Sequence, residues 1–307
     1  MKKVLLTGAT GFVGNAVLKE LIKNNIYVIA VSRSENPKNI PNNKLVKYVC
    51  CDLKNIANLE NLILDRDIDT FYHFAWNGVS GENRIDIDLQ LSNVKWNVDS
   101  LKVAKKIGCK RFIVAGSIME QEAIAATYTQ GNKPGLGYIY GASKIAAHTI
   151  MMAIASKIEI DLIWTTITNA YGIGEISPRM VNNSLRKIIR RESPQFTAGT
   201  QNYDFVYIDD VARAFYLIGK NGKPFNDYVI GSSTAKPLRD FLLEMKASVA
   251  PDLDFIFGDI PFTGINLPLE KFDCSKTEKD TGFRAEISFA EGTKRTINWL
   301  KEVENND

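Results

Sequence analysis

The sequence predicts an α/β fold organised around a doubly wound parallel β-sheet. The chain opens with a short apolar run, residues 4–6, which ends in a glycine-rich turn and leads into a helical stripe of apolar residues. Further apolar runs of strand length alternate with helical segments, as in repeated βαβ units. With 307 residues, 45% of them hydrophobic, the chain is long enough for one large or two unequal domains.

The first turn carries Gly8, Gly11 and Gly14 in the spacing G-x-x-G-x-x-G. Strand, glycine turn and helix in this order direct backbone N–H groups and the positive end of a helix dipole at one point, which suits a pyrophosphate. A glycine-rich turn without a ligand is the alternative. The pattern T-G-x-x-G-x-x-G at the start of the chain resembles the short-chain dehydrogenase/reductase superfamily, which implies a dinucleotide cofactor.

The residues after the second predicted strand, residues 26–31, bear on the choice of cofactor. An acidic residue there would accept the ribose hydroxyls of NAD, but the chain has Ser32, Arg33 and Ser34. A hydroxyl followed by a guanidinium suits a 2′-phosphate, and an arginine also stacks on adenine. We therefore expect NADP, while Glu35 leaves NAD possible and a surface loop with an incidental arginine is the alternative.

The third predicted strand, residues 45–50, is closed by Asp52 and Leu53. The resemblance implies that an acidic residue here hydrogen-bonds the adenine amino group. Asp52 as the N-cap of a helix that starts near Ile56 is the structural alternative.

The fourth predicted strand, residues 70–76, resembles the family's H-x-A-A stretch, which lines the cofactor. Phe74 and Ala75 occupy the middle of this motif, and Trp76 replaces its last alanine. His73 lies inside the apolar run, so we expect a core histidine with satisfied hydrogen bonds rather than a catalyst.

A helix is expected over residues 85–107, where Asn93 falls at the position of the family's asparagine beside the active site. A solvent-facing asparagine is the alternative. The fifth predicted strand, residues 111–117, ends at Ser117, and ligands bind at the carboxyl edge of a parallel sheet.

A poorly periodic loop is expected over residues 118–137 and a helix over residues 138–157. That helix carries Tyr140 and Lys144, which the i, i+4 spacing places on one face. Tyr216 and Lys220 have the same spacing, but they lie late in another helix that ends at a glycine. Only the first pair follows a glycine-rich loop and a strand that ends in Ser117.

A strand over residues 160–168 leads to the stretch N-A-Y-G, which begins at Asn169. It resembles the family's R-x-x-N-x-Y-G-P-G segment, with Thr166 and Ile173 replacing Arg and Pro. Residues 205–210, followed by a helix over 211–218, resemble a second landmark, whose two aspartates we expect to be helix N-terminal charges. A helix over residues 288–303 closes the fold.

Together these motifs are similar to the extended subgroup, the NAD-dependent epimerase/dehydratase family acting on nucleotide sugars. The resemblance implies a Rossmann-type domain (residues 1–171 and 205–232), a smaller C-terminal α/β substrate domain (172–204 and 233–307), and a homodimer formed through the helices near Asn93 and Tyr140. The cofactor contacts expected from it are Gly8, Thr10, Gly11, Phe12, Val13, Gly14, Ser32, Arg33, Asp52, Leu53, Phe74, Ala75, Trp76, Asn93, Tyr140, Lys144 and Ile167.

Ser117, Tyr140 and Lys144 are the expected catalytic residues. An ammonium and the positive nicotinamide ring both favour phenolate, so we expect the pKa of Tyr140 to fall from about 10 into the working range. Ile118 and Met119 stand where 4,6-dehydratases carry Asp-Glu, and hydrocarbon cannot shuttle protons. This leaves a reductase of a 4-keto sugar nucleotide that uses NADPH, a 4-epimerase with retained NAD, or a non-catalytic NADP-binding sensor.

The resemblance implies an arginine that clamps the sugar-nucleotide diphosphate, since members of the family often carry one at this point, but here Tyr203 precedes Asp204. Either other residues replace it or the substrate is not a standard nucleotide sugar. The substrate contacts expected instead are Asn169, Arg179, Asn183 and Arg186.

The net charge of +3 is spread along the chain, which argues against a nucleic-acid partner. No secretory signal or membrane span is visible. The four cysteines form no C-x-x-C pair and the chain has two histidines, so we expect no metal site and a reduced cytoplasmic protein.

Overall fold

Strands and helices alternate along most of the chain. The structure is a computed structural model that describes residues 1–304. In chain order the strands are β1 (Lys3–Thr7), β2 (Tyr27–Ser32), β3 (Val46–Cys50), β4 (Thr70–His73), β5 (Arg111–Ser117), β6 (Asp161–Ile167), β7 (Asn169–Tyr171), β8 (Gln195–Phe196), β9 (Asn202–Tyr203), β10 (Phe205–Tyr207), β11 (Asp227–Ile230), β12 (Lys236–Pro237) and β13 (Ile256–Phe257). The helices are α1 (Phe12–Lys23), α2 (Leu59–Leu62), α3 (Ile87–Ile107), α4 (Met119–Tyr128), α5 (Ile139–Ile158), α6 (Met180–Ile189), α7 (Ile208–Asn221), α8 (Leu238–Val249), α9 (Ser275–Thr281) and α10 (Phe289–Glu304).

Within the described residues, seven strands form one parallel sheet in the spatial order β11-β6-β5-β4-β1-β2-β3. The register aligns the carboxyl ends of its central strands: Thr7 pairs with His73, and Ser117 pairs with Ile167. The glycine turn after β1, the loop after β4 and the end of β5 therefore meet at one edge.

Helices cover both faces of this sheet. Val4 and Leu6 of β1 enter the core that is closed by α1 and α7, while Leu5 enters the opposite core under α3 and α5. This alternation follows from the side-chain period of a strand, and the burial of both faces explains the continuous apolar run. The prediction of a Rossmann-like doubly wound sheet is confirmed.

Outside the seven-stranded sheet, the second half of the chain forms three short strand pairs. β7 pairs with β10 in parallel, β9 pairs with β12 antiparallel, and β8 pairs with β13 in parallel. Helix α10 packs against α6 and α8. The predicted domain boundaries remain a prediction, and residues 305–307 of the second domain lie outside the described part.

Two expectations about local structure were wrong. The expected loop over residues 118–137 contains the helix α4, which packs against α5 through Ala123 and Gly141, where an added Cβ would lie 2.2 Å from the Met119 carbonyl oxygen. Contact through such small residues leaves no stripe of large apolar side chains for a periodicity argument to detect. The helix expected near Ile56 is a 3-10 turn, Leu53–Asn58, followed by the short α2.

Candidate active site

The glycine turn fits a dinucleotide pyrophosphate. Gly8 has φ +75°, and a Cβ there would lie 2.8 Å from the Ala75 backbone nitrogen. A Cβ on Gly14 would lie 2.2 Å from the Gly8 carbonyl oxygen, so the helix packs directly on the turn. Gly11 caps α1 without a side-chain hydrogen bond, and the first helical turn, from Phe12 onward, holds no acidic residue. The first N–H groups of α1 thus remain available for an anion.

The residues expected at the adenosine end have different environments. Ser32 is buried, and its hydroxyl lies 3.1 Å from the phenol oxygen of Tyr48. Arg33 is exposed, and within residues 1–304 its guanidinium forms no ion pair or hydrogen bond. Asp52 accepts the Lys54 N–H at 2.9 Å, which is the N-cap arrangement that was the structural alternative.

At the end of β4, Phe74 and Ala75 lie against the glycine turn, whereas His73 lies in the core. Ala75 and Phe74 contact Gly8, as a cofactor-lining stretch would. His73 is buried, its Nδ1 lies 2.7 Å from the Thr7 hydroxyl, and burial lowers its pKa to about 3. It is therefore a neutral core histidine, although its Nε2 has no hydrogen-bond partner.

Asn93 does not face the active-site cavity, and it does not face solvent either. It is fully buried, and its amide exchanges two hydrogen bonds with the backbone of Asn77, at 2.9 and 2.8 Å. These two hydrogen bonds secure the loop that follows β4. Asn93 as a cofactor contact stays a prediction.

Ser117, Tyr140 and Lys144 are brought together by β5 and the first two turns of α5. The Lys144 ammonium nitrogen donates to the Ala115 carbonyl oxygen at 2.7 Å and lies 5.9 Å from the centre of the Tyr140 ring. The Ser117 hydroxyl accepts the Met119 N–H at 3.2 Å, which leaves its own proton for another acceptor.

Burial governs the ionisation of the phenol and the ammonium. Burial raises the pKa of Tyr140, and this outweighs the lowering by Arg179, Arg84 and the Ser117 hydrogen bond. Burial also lowers the pKa of Lys144 to about 7. The expected depression of the Tyr140 pKa is therefore not produced by the protein's own groups, because desolvation penalises the phenolate more than these charges stabilise it.

The ammonium of Lys144 also forms a cation–π contact with Trp76. The nitrogen lies 3.8 Å from the centre of the indole ring, and the Trp76 and Tyr140 rings meet edge-to-face at 5.9 Å. The indole N–H donates to Gln90 Oε1 at 2.8 Å, which fixes the orientation of the ring. The residue that replaces the family's small alanine is thus packed against the proposed catalytic lysine.

The buried side chain of Glu120, which the sequence analysis missed, binds the backbone of Ser117. Glu120 Oε1 accepts the Ser117 N–H at 2.8 Å and the Trp164 indole N–H at 3.1 Å. Its Oε2 lies 3.5 Å from His148 Nδ1, and His148 Nε2 lies 3.2 Å from an Asp227 oxygen. Although burial lowers it, these two carboxylates raise the pKa of His148 to about 9, so the imidazolium offsets the buried charge at neutral pH.

A cavity of about 480 Å³ opens at this edge of the sheet. Of the expected residues, Ser117, Tyr140, Asn169 and Arg179 line it. Ile167 lies beside Ser117 at the end of β6.

Two expected substrate contacts lie outside the cavity wall. The Arg186 guanidinium pairs with Glu304 at 2.7 Å, and Asn183 is exposed on α6. The neighbouring Asn182 lines the cavity instead, and its side-chain nitrogen donates to the carbonyl oxygens of Glu175 and Ser177. The reason is the phase of α6, which begins at Met180 and turns residue 182 inward.

The cavity also contains Arg84 and Glu122, which the sequence analysis did not identify. Burial raises the pKa of Glu122 to about 7, against the lowering effect of Arg84. Glu122 lies on α4, so a helix prediction for that segment would have placed it near Ser117. No comparable sequence signal marks Arg84, which ends the 3-10 turn Glu82–Arg84.

Residues 1–304 lack both a membrane-spanning helix and a cluster of metal ligands. No helix in this part of the chain combines the length and apolarity needed to cross a bilayer. The same residues contain no group of three or more His, Cys, Asp or Glu side chains able to hold a metal ion.

Comparison with known proteins gives one family and several activities. The profile of the NAD dependent epimerase/dehydratase family matches residues 4–231. The human dTDP-D-glucose 4,6-dehydratase is 23% identical, over 98% of this chain and 90% of its own length. A putative UDP-glucose 4-epimerase of Methanocaldococcus jannaschii is 27% identical, covering 97% and 98% of the two chains. The dTDP-4-dehydro-6-deoxyglucose reductase of Escherichia coli is 23% identical, covering 97% of each.

Solved structures share the fold along the whole chain. The Bordetella bronchiseptica enzyme WbmF in complex with NADH superposes with a TM-score of 0.82 at 19% identity, covering 99% of this chain and 93% of that one. A UDP-glucuronic acid 4-epimerase mutant from Bacillus cereus, in complex with UDP-4-deoxy-4-fluoro-glucuronic acid and NAD, gives a TM-score of 0.78 at 19% identity, covering 98% of this chain and 99% of that one. At these identities the likeness establishes the architecture.

Proposed function

Because this chain belongs to the NAD dependent epimerase/dehydratase family, whose members are enzymes of the extended short-chain dehydrogenase/reductase type, we propose that it reduces a 4-keto sugar nucleotide with NADPH. The observation that carries the proposal is the convergence of Ser117, Tyr140 and Lys144 at the carboxyl edge of the sheet. Ser117 and Tyr140 line the cavity that opens there, at the edge of the sheet where the glycine turn also lies. A non-catalytic sensor would need none of these three side chains.

The glycine turn and the first turn of α1 would hold the pyrophosphate, and Lys144 the nicotinamide ribose. The cofactor supplies the hydride. Tyr140 donates its proton to the carbonyl oxygen of the sugar, and Ser117 donates a hydrogen bond to the same oxygen. A phenol whose pKa is raised by burial is well suited to remain protonated until that transfer.

Two residues argue against elimination of water in this cavity. Ile118 and Met119 line its wall at the positions where 4,6-dehydratases carry carboxylic acids, and neither can move a proton. The remaining competitor is a 4-epimerase that retains NAD and returns the hydride to the opposite face of the sugar.

Two incubations separate these functions. The purified protein is mixed with NADPH and a panel of 4-keto sugar nucleotides while the fluorescence of the reduced cofactor is followed. We expect steady oxidation of NADPH with at least one of them. A second incubation, with NAD and UDP-glucose, tests the epimerase, because a 4-epimerase acts on a sugar that carries a C4 hydroxyl. Conversion to the C4 epimer without net change of the cofactor would establish the epimerase, and tight NADPH binding without either reaction would favour the sensor.

Preference for NADPH is proposed to rest on Arg33. Arg33→Ala should weaken NADPH binding about 10- to 100-fold relative to NADH, because a charge-assisted hydrogen bond to the 2′-phosphate contributes ~1.5–3 kcal/mol. Fluorescence titration with both cofactors measures the ratio, and NADH serves as the internal control since it lacks that phosphate. An unchanged ratio would refute the NADP assignment and favour NAD.

A homodimer formed through α3 and α5 and a reducing, cytoplasmic setting are also proposed. Helices α3 and α5 pack side by side and expose Ile87, Leu91 and Ile150, with relative exposures of 57%, 58% and 43%. The four cysteines are all free thiols. Light scattering of the purified protein tests the dimer.

A further inference from the structure

Arg84 is a cation in the cavity wall that pairs with no carboxylate among the described residues, 1–304. Its guanidinium carbon lies 5.1 Å from the centre of the Tyr140 ring, and both side chains line the cavity. Arg84 Nε is buried and has no hydrogen-bond partner. Among residues 1–304 this guanidinium forms no ion pair either. A buried donor that is left unsatisfied is costly, so a native protein retains one where a ligand completes it.

We propose that Arg84 binds an anionic oxygen group, a carboxylate, carried by the sugar of the substrate next to the reacting carbon. The inference rests on the proposed function, since it assumes that Tyr140 marks the reacting carbon. A guanidinium is the side chain best suited to a carboxylate, because its parallel N–H donors match two oxygens.

Of the two arginines in the cavity wall, Arg84 is the one available to bind a carboxylate. Arg179, another arginine in the cavity wall, lies 3.6 Å from a Glu175 oxygen and so already has a counterion. Glu122 is a poor counterion for Arg84, because burial raises the pKa of its carboxyl to about 7 and a large share of it is neutral at physiological pH. An incoming carboxylate would therefore meet one uncompensated cation beside the phenol.

The loop that carries Arg84 is held in place before any ligand arrives. The fully buried Gln90 donates from its side-chain nitrogen to the carbonyl oxygens of Gly78 and Asn83, at 2.8 and 2.9 Å. The Arg84 N–H donates to the Gly81 carbonyl oxygen at 3.1 Å. Such preorganisation lowers the entropic cost of binding and favours a recognition role over an incidental surface arginine.

The position of Arg84 favours the sugar over the diphosphate as the source of the anion. In the proposed reaction Tyr140 serves the carbonyl at C4 of the sugar, whereas the diphosphate is attached at C1, on the opposite side of the ring. A group that contacts Arg84 lies within a few ångströms of the phenol, so a substituent beside that carbon is within reach.

Calorimetric titration tests the assignment on the full chain. UDP, UDP-glucose and UDP-glucuronate are titrated into the wild type, Arg84→Met and Arg84→Lys. Arg190→Met, which alters an exposed arginine outside the cavity wall, is the matched control. We expect Arg84→Met to weaken UDP-glucuronate binding at least about tenfold, Arg84→Lys to weaken it less, and the other two ligands to be unaffected.

The other outcomes overturn the proposal in distinguishable ways. Equal weakening of all three ligands would assign Arg84 to the diphosphate. UDP-glucuronate binding that Arg84→Met leaves unchanged, or a wild type that binds UDP but not UDP-glucuronate, would refute a carboxylate site. Oxidation of NADPH by neutral 4-keto sugar nucleotides is measured separately, so the proposed function can stand while this inference fails. If NADPH is not oxidised but UDP-glucuronate binding depends on Arg84, the proposed function fails and the carboxylate site stands.

Discussion

Replacing Tyr140 by Phe is expected to lower turnover about 10²- to 10⁴-fold, the usual contribution of a positioned general acid. Only the hydroxyl is lost, and the ring keeps its edge-to-face contact with Trp76. Cofactor affinity should stay within about twofold of the wild type, because the pyrophosphate is held by the glycine turn and not by the phenol. Steady-state kinetics on the accepted 4-keto sugar nucleotide and fluorescence titration with NADPH measure the two quantities.

The chain supplies its own control for this variant. Tyr216 and Lys220 repeat the Tyr-x-x-x-Lys spacing on α7, but Tyr216 packs against the core on the other face of the sheet. Tyr216→Phe should leave turnover unchanged. Full activity of Tyr140→Phe, or loss of NADPH binding with turnover unimpaired at saturation, would remove Tyr140 from the role of proton donor.

The fold was predictable because its strongest signals are local. A parallel sheet buried on both faces needs continuous apolar runs, and β1, β2, β5 and β6 each appear in the sequence as such a run. Ser117 could be placed at the ligand edge because it ends one of these runs. Tyr140 and Lys144 could be paired because the period of a helix fixes their relative position.

The parts that escaped prediction depend on contacts between distant elements. The cation–π contact of Trp76 with Lys144 needs the loop after β4 to lie beside α5, and spacing along the chain does not encode this. Asn182 and Asn183 are neighbours on α6, and the rotation of the helix about its axis decides which of them faces the cavity. The sequence does not fix that rotation. Arg84 ends a single 3-10 turn in the loop before α3, which is too short for a periodic pattern to predict where its side chain points.

Burial of Lys144 leads to an expected gain in stability when its charge is removed. The side chain is 4% exposed, and burial lowers its pKa from 10.5 to about 7. At and below about pH 7 the folded protein must hold this charge away from water, at a cost of ~1.4 kcal/mol for each pH unit between the two values. Lys144→Met removes this cost but also loses the hydrogen bond to Ala115 and the contact with Trp76, together about 1–3 kcal/mol.

Lys144→Met is therefore expected to be inactive yet more stable than the wild type by about 2–4 kcal/mol at pH 6. From pH 7 to 10.5 the unfolded wild type still binds the proton that the folded protein has released, so wild-type stability rises with pH and the advantage of the variant fades. Urea denaturation at pH 6 and pH 9 measures the difference. Lys157→Met, an exposed lysine on the same helix, should show no such pH dependence. A Lys144→Met protein less stable than the wild type at pH 6 would mean that Trp76, Ala115 and the nearby Glu120 stabilise the ammonium more than burial penalises it, and that Lys144 stays charged well above neutral pH.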